Sequence, residues 1–474
     1  MNYGQFLNMM PEAFLVLWLL IVFVADFCLM KSERKVSVLG KLTSALLLCQ
    51  TILMFGIQPS EAFGGLYVAS AAVNVMKTIL AFGTFIVVVM AQSWVESRQR
   101  LAGEFYMLVI STLLGMYVMM SSGNFLLFFL GLEMASVPMA CMVAFDKDRK
   151  NSAEGAAKYI LVATFSSGVM LFGISFIYAA TGTLYFNDVA AAISASPLTI
   201  MGLAFFFSGL GFKISLVPFH FWTADTYQGA PTPVTGYLSV ISKGAAAITL
   251  CIILMKVFQP MVEYWDYMLY IVIVLSITVA NLFAIRQSEL KRFMAFSSIS
   301  QAGYIMLAVV GNNQLGVAAL TYYVLVYIVA NMAVFTVINV VEQNNGGRTD
   351  MAAYNGFYQT NPKLSFLMTL ALFSLAGIPP FAGMFSKFFV FMAGVQNGEP
   401  MAYFVVFIAL VNTVVSLYYY LLIVKAMYIT KTDEPLPAFV SDANTKVALF
   451  ICTAGIALFG VASCIYEWIA AAGV

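Results

Sequence analysis

Four ionisable residues lie where a chain in a bilayer tolerates charge least. Glu133 sits in Phe129-Leu-Gly-Leu-Glu-Met-Ala and Lys213 in Gly211-Phe-Lys-Ile-Ser. Lys243 sits in Ile241-Ser-Lys-Gly-Ala and Lys387 in Gly383-Met-Phe-Ser-Lys-Phe-Phe. Each lies well inside an apolar run, Glu133 and Lys243 about 15 Å from its start at 1.5 Å per residue. A charge near mid-bilayer costs several kcal/mol and marks function by default. Lysine suits proton transfer, because removal from water disfavours the ammonium form and lets the proton leave at working pH. A nearby carboxylate opposes that loss, so moving the two closer or apart toggles the proton. Glu133 with Lys213 forms such a couple on this reading, in ionic contact or one water apart, with Lys243 as the next acceptor. A structural ion pair with Glu133 accounts for one lysine but not for three.

Other polar residues are less decisive. Lys158 lies nearer the start of its run. Asp26, Lys77 and Lys425 lie near run ends, where long side chains reach the headgroups. His220 follows a proline and reads either as a proton relay or as a neutral packing residue. It is the only histidine, so a bis-His haem is excluded. Cys28, Cys49, Cys141, Cys251, Cys452 and Cys464 are far apart and lack the spacing of a zinc site, an iron–sulfur site or a redox dithiol. No cofactor and no metal are expected in this chain. The net charge of +1 comes with no basic stripe, so nucleic acid is not expected as a partner.

The elements that position these residues follow from composition. Of 474 residues 62% are hydrophobic and 9% charged, too few charges to cover a water-facing surface of that size. An all-α polytopic membrane protein of about fourteen spans is expected. The apolar runs are 11–30, 36–57, 66–92, 105–122, 124–145, 154–180, 199–228, 233–258, 265–285, 293–311, 315–341, 364–394, 401–429 and 446–470. The first run lacks a basic stretch before it and reads as a retained span. Lys31, Arg34 and Lys35 follow span 1, Arg98 and Arg100 span 3, and Lys147, Arg149 and Lys150 span 5. Arg286, Lys291 and Arg292 follow span 9, Arg348 and Lys363 span 11, and Lys431 span 13, while the alternate loops carry almost no Lys or Arg. That alternation puts the basic loops inside and both termini on the outer side.

Two spans look broken, span 7 at Val217-Pro-Phe-His and span 12 at Ala376-Gly-Ile-Pro-Pro-Phe-Ala-Gly. Proline removes a backbone donor, and freed carbonyls within a membrane need protein or water partners. Each break is close to a mid-membrane lysine. A matched pair of interruptions five spans apart is the sign of inverted repeats, here 105–258 (spans 4–8) and 265–429 (spans 9–13) within one domain, 1–474, with Pro218 and Pro379 coinciding. A merely kinked structural helix is the alternative for either break alone.

The stretch Gly211-Phe-Lys-Ile-Ser-Leu-Val-Pro-Phe-His-Phe-Trp, then Asp225, then Gly229-Ala-Pro-Thr-Pro-Val, resembles the central signature of the antiporter-like subunits of respiratory complex I. Multisubunit sodium/proton antiporters and membrane-bound hydrogenases share it, and the resemblance covers nearly the whole chain. Glu154-Gly-Ala-Ala-Lys-Tyr, Arg286-Gln-Ser-Glu-Leu-Lys-Arg-Phe-Met-Ala-Phe-Ser-Ser-Ile-Ser, Leu375-Ala-Gly-Ile-Pro-Pro and a lysine at 387 point to one branch. The last apolar run ends at 470, and the lateral helix of another branch is not expected. The resemblance implies a proton-translocating membrane subunit of an NADH:quinone oxidoreductase in a bacterial inner membrane. Its partners would be the other membrane subunits of that assembly and the lipid bilayer, and it would bind no NADH, flavin or iron–sulfur cluster itself. Glu133 and Lys213 would form the first half-channel, Lys243 the central relay and Lys387 the second half-channel. Lys158 and His220 would be accessory. Many relatives carry histidine where this chain has Gln301, which does not titrate, so water held by Gln301 would have to conduct there. The alternatives are a cation/proton antiporter subunit and a non-conducting structural subunit.

Overall fold

The structure, a computed structural model, describes residues 3–98, 101–147, 149–432 and 435–471; Arg100 lies outside them. Thirteen helices among the described residues are long and apolar enough to cross a membrane. Span 12 adds a crossing made of two shorter helices. Spans 1 to 6 are Met10–Cys28, Lys35–Met54, Ala71–Glu96, Ala102–Met120, Phe125–Val143 and Lys150–Thr181. Span 7 is split into 7a, Pro197–Ile214, and 7b, Trp222–Gly229. Span 8 runs Thr232–Lys256, spans 9 to 11 are Val262–Ile285, Leu290–Val310 and Gln314–Asn344, and span 12 is 12a, Pro362–Ala376, and 12b, Ala382–Val395. Spans 13 and 14 are Pro400–Tyr428 and Ala443–Val461, the last followed by a short helix, Ser463–Ala471.

Span 3 starts later than its apolar run suggests. Residues 60–69 form a small antiparallel hairpin instead, pairing Glu61 with Val68 across Ser60–Ala62 and Tyr67–Ala69. The turn of this hairpin uses left-handed glycines at Gly64 and Gly65, which a helix does not accommodate. A further short helix, Phe186–Ala192, fills the connection between spans 6 and 7.

Burial orders the bundle. The apolar stretches of spans 10 and 11 are buried along their whole length, and those of spans 3 and 8 nearly so. Spans 1 and 6 face outward over most of theirs. Span 10 is nevertheless polar along one stretch, Ser297-Ser298-Ile299-Ser300-Gln301, all of it buried. Polar side chains at the centre of an apolar bundle need partners there, which makes this stretch the first place to look for chemistry.

Both predicted breaks are present. Span 7a ends at Ser215, in the left-handed region at φ +67°, and 12a ends at Gly377, at φ +87°. Serine is strained in that region, whereas glycine is not. Counting three residues on from each (215 to 218, 377 to 380) reaches Pro218 and Pro380.

Candidate functional site

Lys243 sits at the centre of the bundle. Span 8 is not a uniform α-helix: Leu238–Ser242 forms a wide π-helical turn immediately before Lys243. Such turns rotate the following side chains and often mark functional positions. Lys243, 2% exposed, donates from Nζ to Ser298 Oγ at 2.6 Å and lies over the Tyr227 ring, 5.5 Å from its centre. Ser298 also meets the Tyr227 phenol oxygen at 3.1 Å. On the next turn, Asn331 of span 11 donates to Ser239 Oγ at 2.5 Å. Spans 7b, 8, 10 and 11 thus meet in one polar knot.

Lys387 lies on 12b and folds back onto the broken end of 12a. Its Nζ donates to the Ala376 carbonyl at 3.0 Å and lies 5.0 Å from the Tyr304 ring centre. The break frees that carbonyl, and the carbonyl end of a helix attracts a cation. A Cβ at Gly377 would also crowd the lysine, sitting 3.0 Å from Lys387 Cδ. The next freed carbonyl, Leu375 O, accepts from Gln301 Nε2 at 3.3 Å. Gln301 Nε2 also donates to the Tyr420 phenol oxygen at 3.2 Å, and Gln301 Oε1 accepts from Tyr323. Tyr420 is in turn joined to Ser297. Beside them a cavity of about 10 Å³, near the room that one water needs, is lined by Gln301, Tyr323, Tyr327, Ser386 and Lys387.

Direct ionic contact, one of the two arrangements expected for the first pair, is not made. Among the described residues no ion pair joins Glu133 to Lys213. Lys213, 6% exposed, donates to the Tyr159 phenol oxygen at 3.0 Å, whereas Glu133 is half-buried and accepts from Ser167 Oγ at 2.5 Å. Tyr159 and Ser167 both belong to span 6, eight residues apart, a separation of about 12 Å along the helix. Both ends of the couple are thus fastened to one helix at different heights. Helix 7a ends at Ile214, so Lys213 is in its last turn.

Lys158, next to Tyr159, is 42% exposed and bridges Glu154 at 2.6 Å and Asp225 at 2.5 Å. Asp225 takes Arg292 on its other oxygen at 2.5 Å. Asp225 is ten residues beyond Ser215, and Lys387 is ten beyond Gly377. The sequence alone did not single out Asp225 as a site residue. His220 lies within the break of span 7, 7% exposed, with Nδ1 buried and no partner among the described residues.

One charge near a span end departs from the expectation. Lys77 does not reach for the headgroups. It is 0% exposed, pairs with Glu12 at 2.6 Å, and shares that carboxylate with the Tyr67 hydroxyl at 2.9 Å. Asp26 pairs with Lys35 at 2.8 Å. Lys425 is exposed as expected. Among the described residues no group of three or more His, Cys, Asp or Glu side chains is placed to hold a metal ion.

Residues 122–416 match the transmembrane family described as NADH:quinone oxidoreductase/Mrp antiporter. The chain is 55% identical to NADH-quinone oxidoreductase subunit N of Phocaeicola vulgatus, over 98% of both chains. It is 32% identical to subunit N of Rhodospirillum rubrum, covering 96% of this chain and 93% of that one. This is the branch to which the stretches at 154–159, 286–300 and 375–380 point. A chain of respiratory complex I from Thermus thermophilus with bound Aureothin superposes with a TM-score of 0.83 at 29% identity, over 98% of this chain and 100% of that one. A chain of the Mrp complex from Dietzia sp. superposes at 0.85 with 19% identity, over 98% and 97%, a likeness of fold alone.

Proposed function

The chain belongs to the NADH:quinone oxidoreductase/Mrp antiporter membrane family, as an antiporter-like, multi-pass membrane subunit of the complex I type, and on that premise we propose how it conducts protons. The carrying observation is on span 10. Ser298 and Gln301 are three residues apart and so share one helix face. Ser298 holds Lys243, and Gln301 lines the cavity that Lys387 also lines. One buried helix face therefore links the central lysine to the lysine of the second half.

On this reading Lys213, Lys243 and Lys387 pass protons in turn along the membrane plane. Tyr159 and Tyr227 hold the first two, and the Gln301 amide orients a water between Tyr323, Tyr420 and Lys387. Gln301 needs no titration for this role, because an amide that both donates and accepts can align a water that carries the proton. Glu133, Lys158 and Asp225 tune the first step, and His220 is an accessory group in the break. Spans 4–8 and 9–13 act as inverted repeats, a reading supported by the equal three-residue offset from each left-handed turn to its proline. Electron transfer takes place elsewhere in the assembly, with no redox centre, cofactor or metal in this chain. The basic loops face the cytoplasm of a bacterial inner membrane and both termini the outer side, with protons moving outward. The other membrane subunits of the complex are its partners. A cation antiporter reading rests on the shared fold only, whereas the subunit N relatives match over the whole chain.

The test is Lys387→Ala in the intact complex, reconstituted in vesicles. Pumping per NADH oxidised should fall severalfold while native gels show normal assembly. Unchanged pumping in an assembled complex would remove Lys387 from the route.

A further inference from the structure

We propose that the face of the bundle carrying the basic loops holds a site for an anionic phospholipid, between spans 12a and 14. A groove of about 590 Å³ opens there, where the first turns of the two helices meet. Its mouth carries Lys363 and Lys446, both exposed. Neither ammonium group makes a hydrogen bond or ion pair among the described residues. The acidic side chain next to the groove, Asp442, is already occupied: its oxygens accept from the Asn444 and Thr445 amides and the Thr445 hydroxyl. Two cations therefore face the groove with no described carboxylate engaging either.

Below the lysines the walls turn apolar. Leu367, Leu449 and Phe450 line the groove along helices that run into the membrane, and Phe450 is 74% exposed. Cations over an apolar furrow at the membrane surface match a phosphate headgroup above acyl chains, and basic pockets between spans on this side of a membrane take such lipids. The wall is also fixed in place. Buried Asn361 donates to Pro437 O at 2.9 Å and accepts from Phe439 N at 2.8 Å, which clamps the connection before span 14 against the start of 12a. The far end of the same half-helix supplies the Ala376 carbonyl to which Lys387 donates.

The experiment uses the purified whole complex in nanodiscs containing a trace of diazirine-tagged phosphatidylglycerol or, separately, diazirine-tagged phosphatidylcholine. Tagged peptides are mapped by mass spectrometry. Phosphatidylglycerol should label the segments around Leu367 and Phe450 at least fivefold more than phosphatidylcholine. Lys363→Gln with Lys446→Gln should abolish that preference, with assembly intact on native gels. Equal labelling by the two lipids, or a preference that survives the double substitution, would overturn the proposal. So would an amine-reactive cross-link from Lys363 or Lys446 to a neighbouring subunit, since the groove would then hold protein.

Discussion

Tyr159 and Lys213 meet at 3.0 Å between spans 6 and 7a, and this contact, not one with Glu133, is what holds the first lysine. Removing the hydroxyl leaves the ring beneath the cation but deletes the acceptor. A hydrogen bond to a charged group contributes about 1.5–3 kcal/mol. Tyr159→Phe should therefore slow coupled turnover by about tenfold if that stabilisation acts in the limiting step. Pumping by reconstituted vesicles checks it, with assembly followed by native gel.

Gln301 joins a freed carbonyl of 12a to two phenols of spans 11 and 13. Gln301→Leu keeps bulk but removes every one of these bonds, and should cut pumping by about tenfold, from the loss of one or more buried hydrogen bonds. Gln301→His restores a group that donates and accepts, and should retain most of it. Equal activity of all three forms would show that the route bypasses this residue.

Asp225 is shared by Lys158 and Arg292. Asp225→Asn leaves those two cations without their common counter-charge next to Tyr159 and should lower pumping, while Asp225→Glu should recover most of it. The carboxylate is about a third exposed, so stability should change little. Thermal unfolding of the variant complex separates the two effects: a lower melting temperature with normal pumping would make Asp225 structural only.

Lys77 and Glu12 are paired out of contact with solvent. Breaking such a pair by removing one partner costs about 3–5 kcal/mol, because it strands the other charge. Glu12→Gln and Lys77→Met should each destabilise the membrane subunit, and the double variant should be more stable than either. A double-mutant cycle on detergent stability measures this, and additive losses would contradict the pairing.

The spans, both breaks and the four mid-membrane charges are legible in the sequence, since the bilayer forces long apolar runs and makes each exception conspicuous. Partners are not. Lys213 reads as the mate of Glu133 because the sequence gives distance along a helix, and only packing tells that 7a stops early beside Tyr159. Lys77 reads as a residue near a span end, and only tertiary contact brings Glu12 and Tyr67 to it from elsewhere in the chain. The shared ten-residue offset of Asp225 and Lys387 from the two left-handed turns depends on where 7a and 12a end, which the sequence does not mark.

The central claim is that Lys243 hands a proton across span 10, through its 2.6 Å contact with Ser298. Its most direct test is proton pumping by vesicles containing the reconstituted complex, comparing the unaltered protein with Lys243→Ala and Lys243→Arg. Alanine removes the link, and arginine fills the place with a charge that no working pH removes. Both variants should assemble normally on native gels and lose most of their pumping. Full pumping by assembled Lys243→Ala would contradict the account.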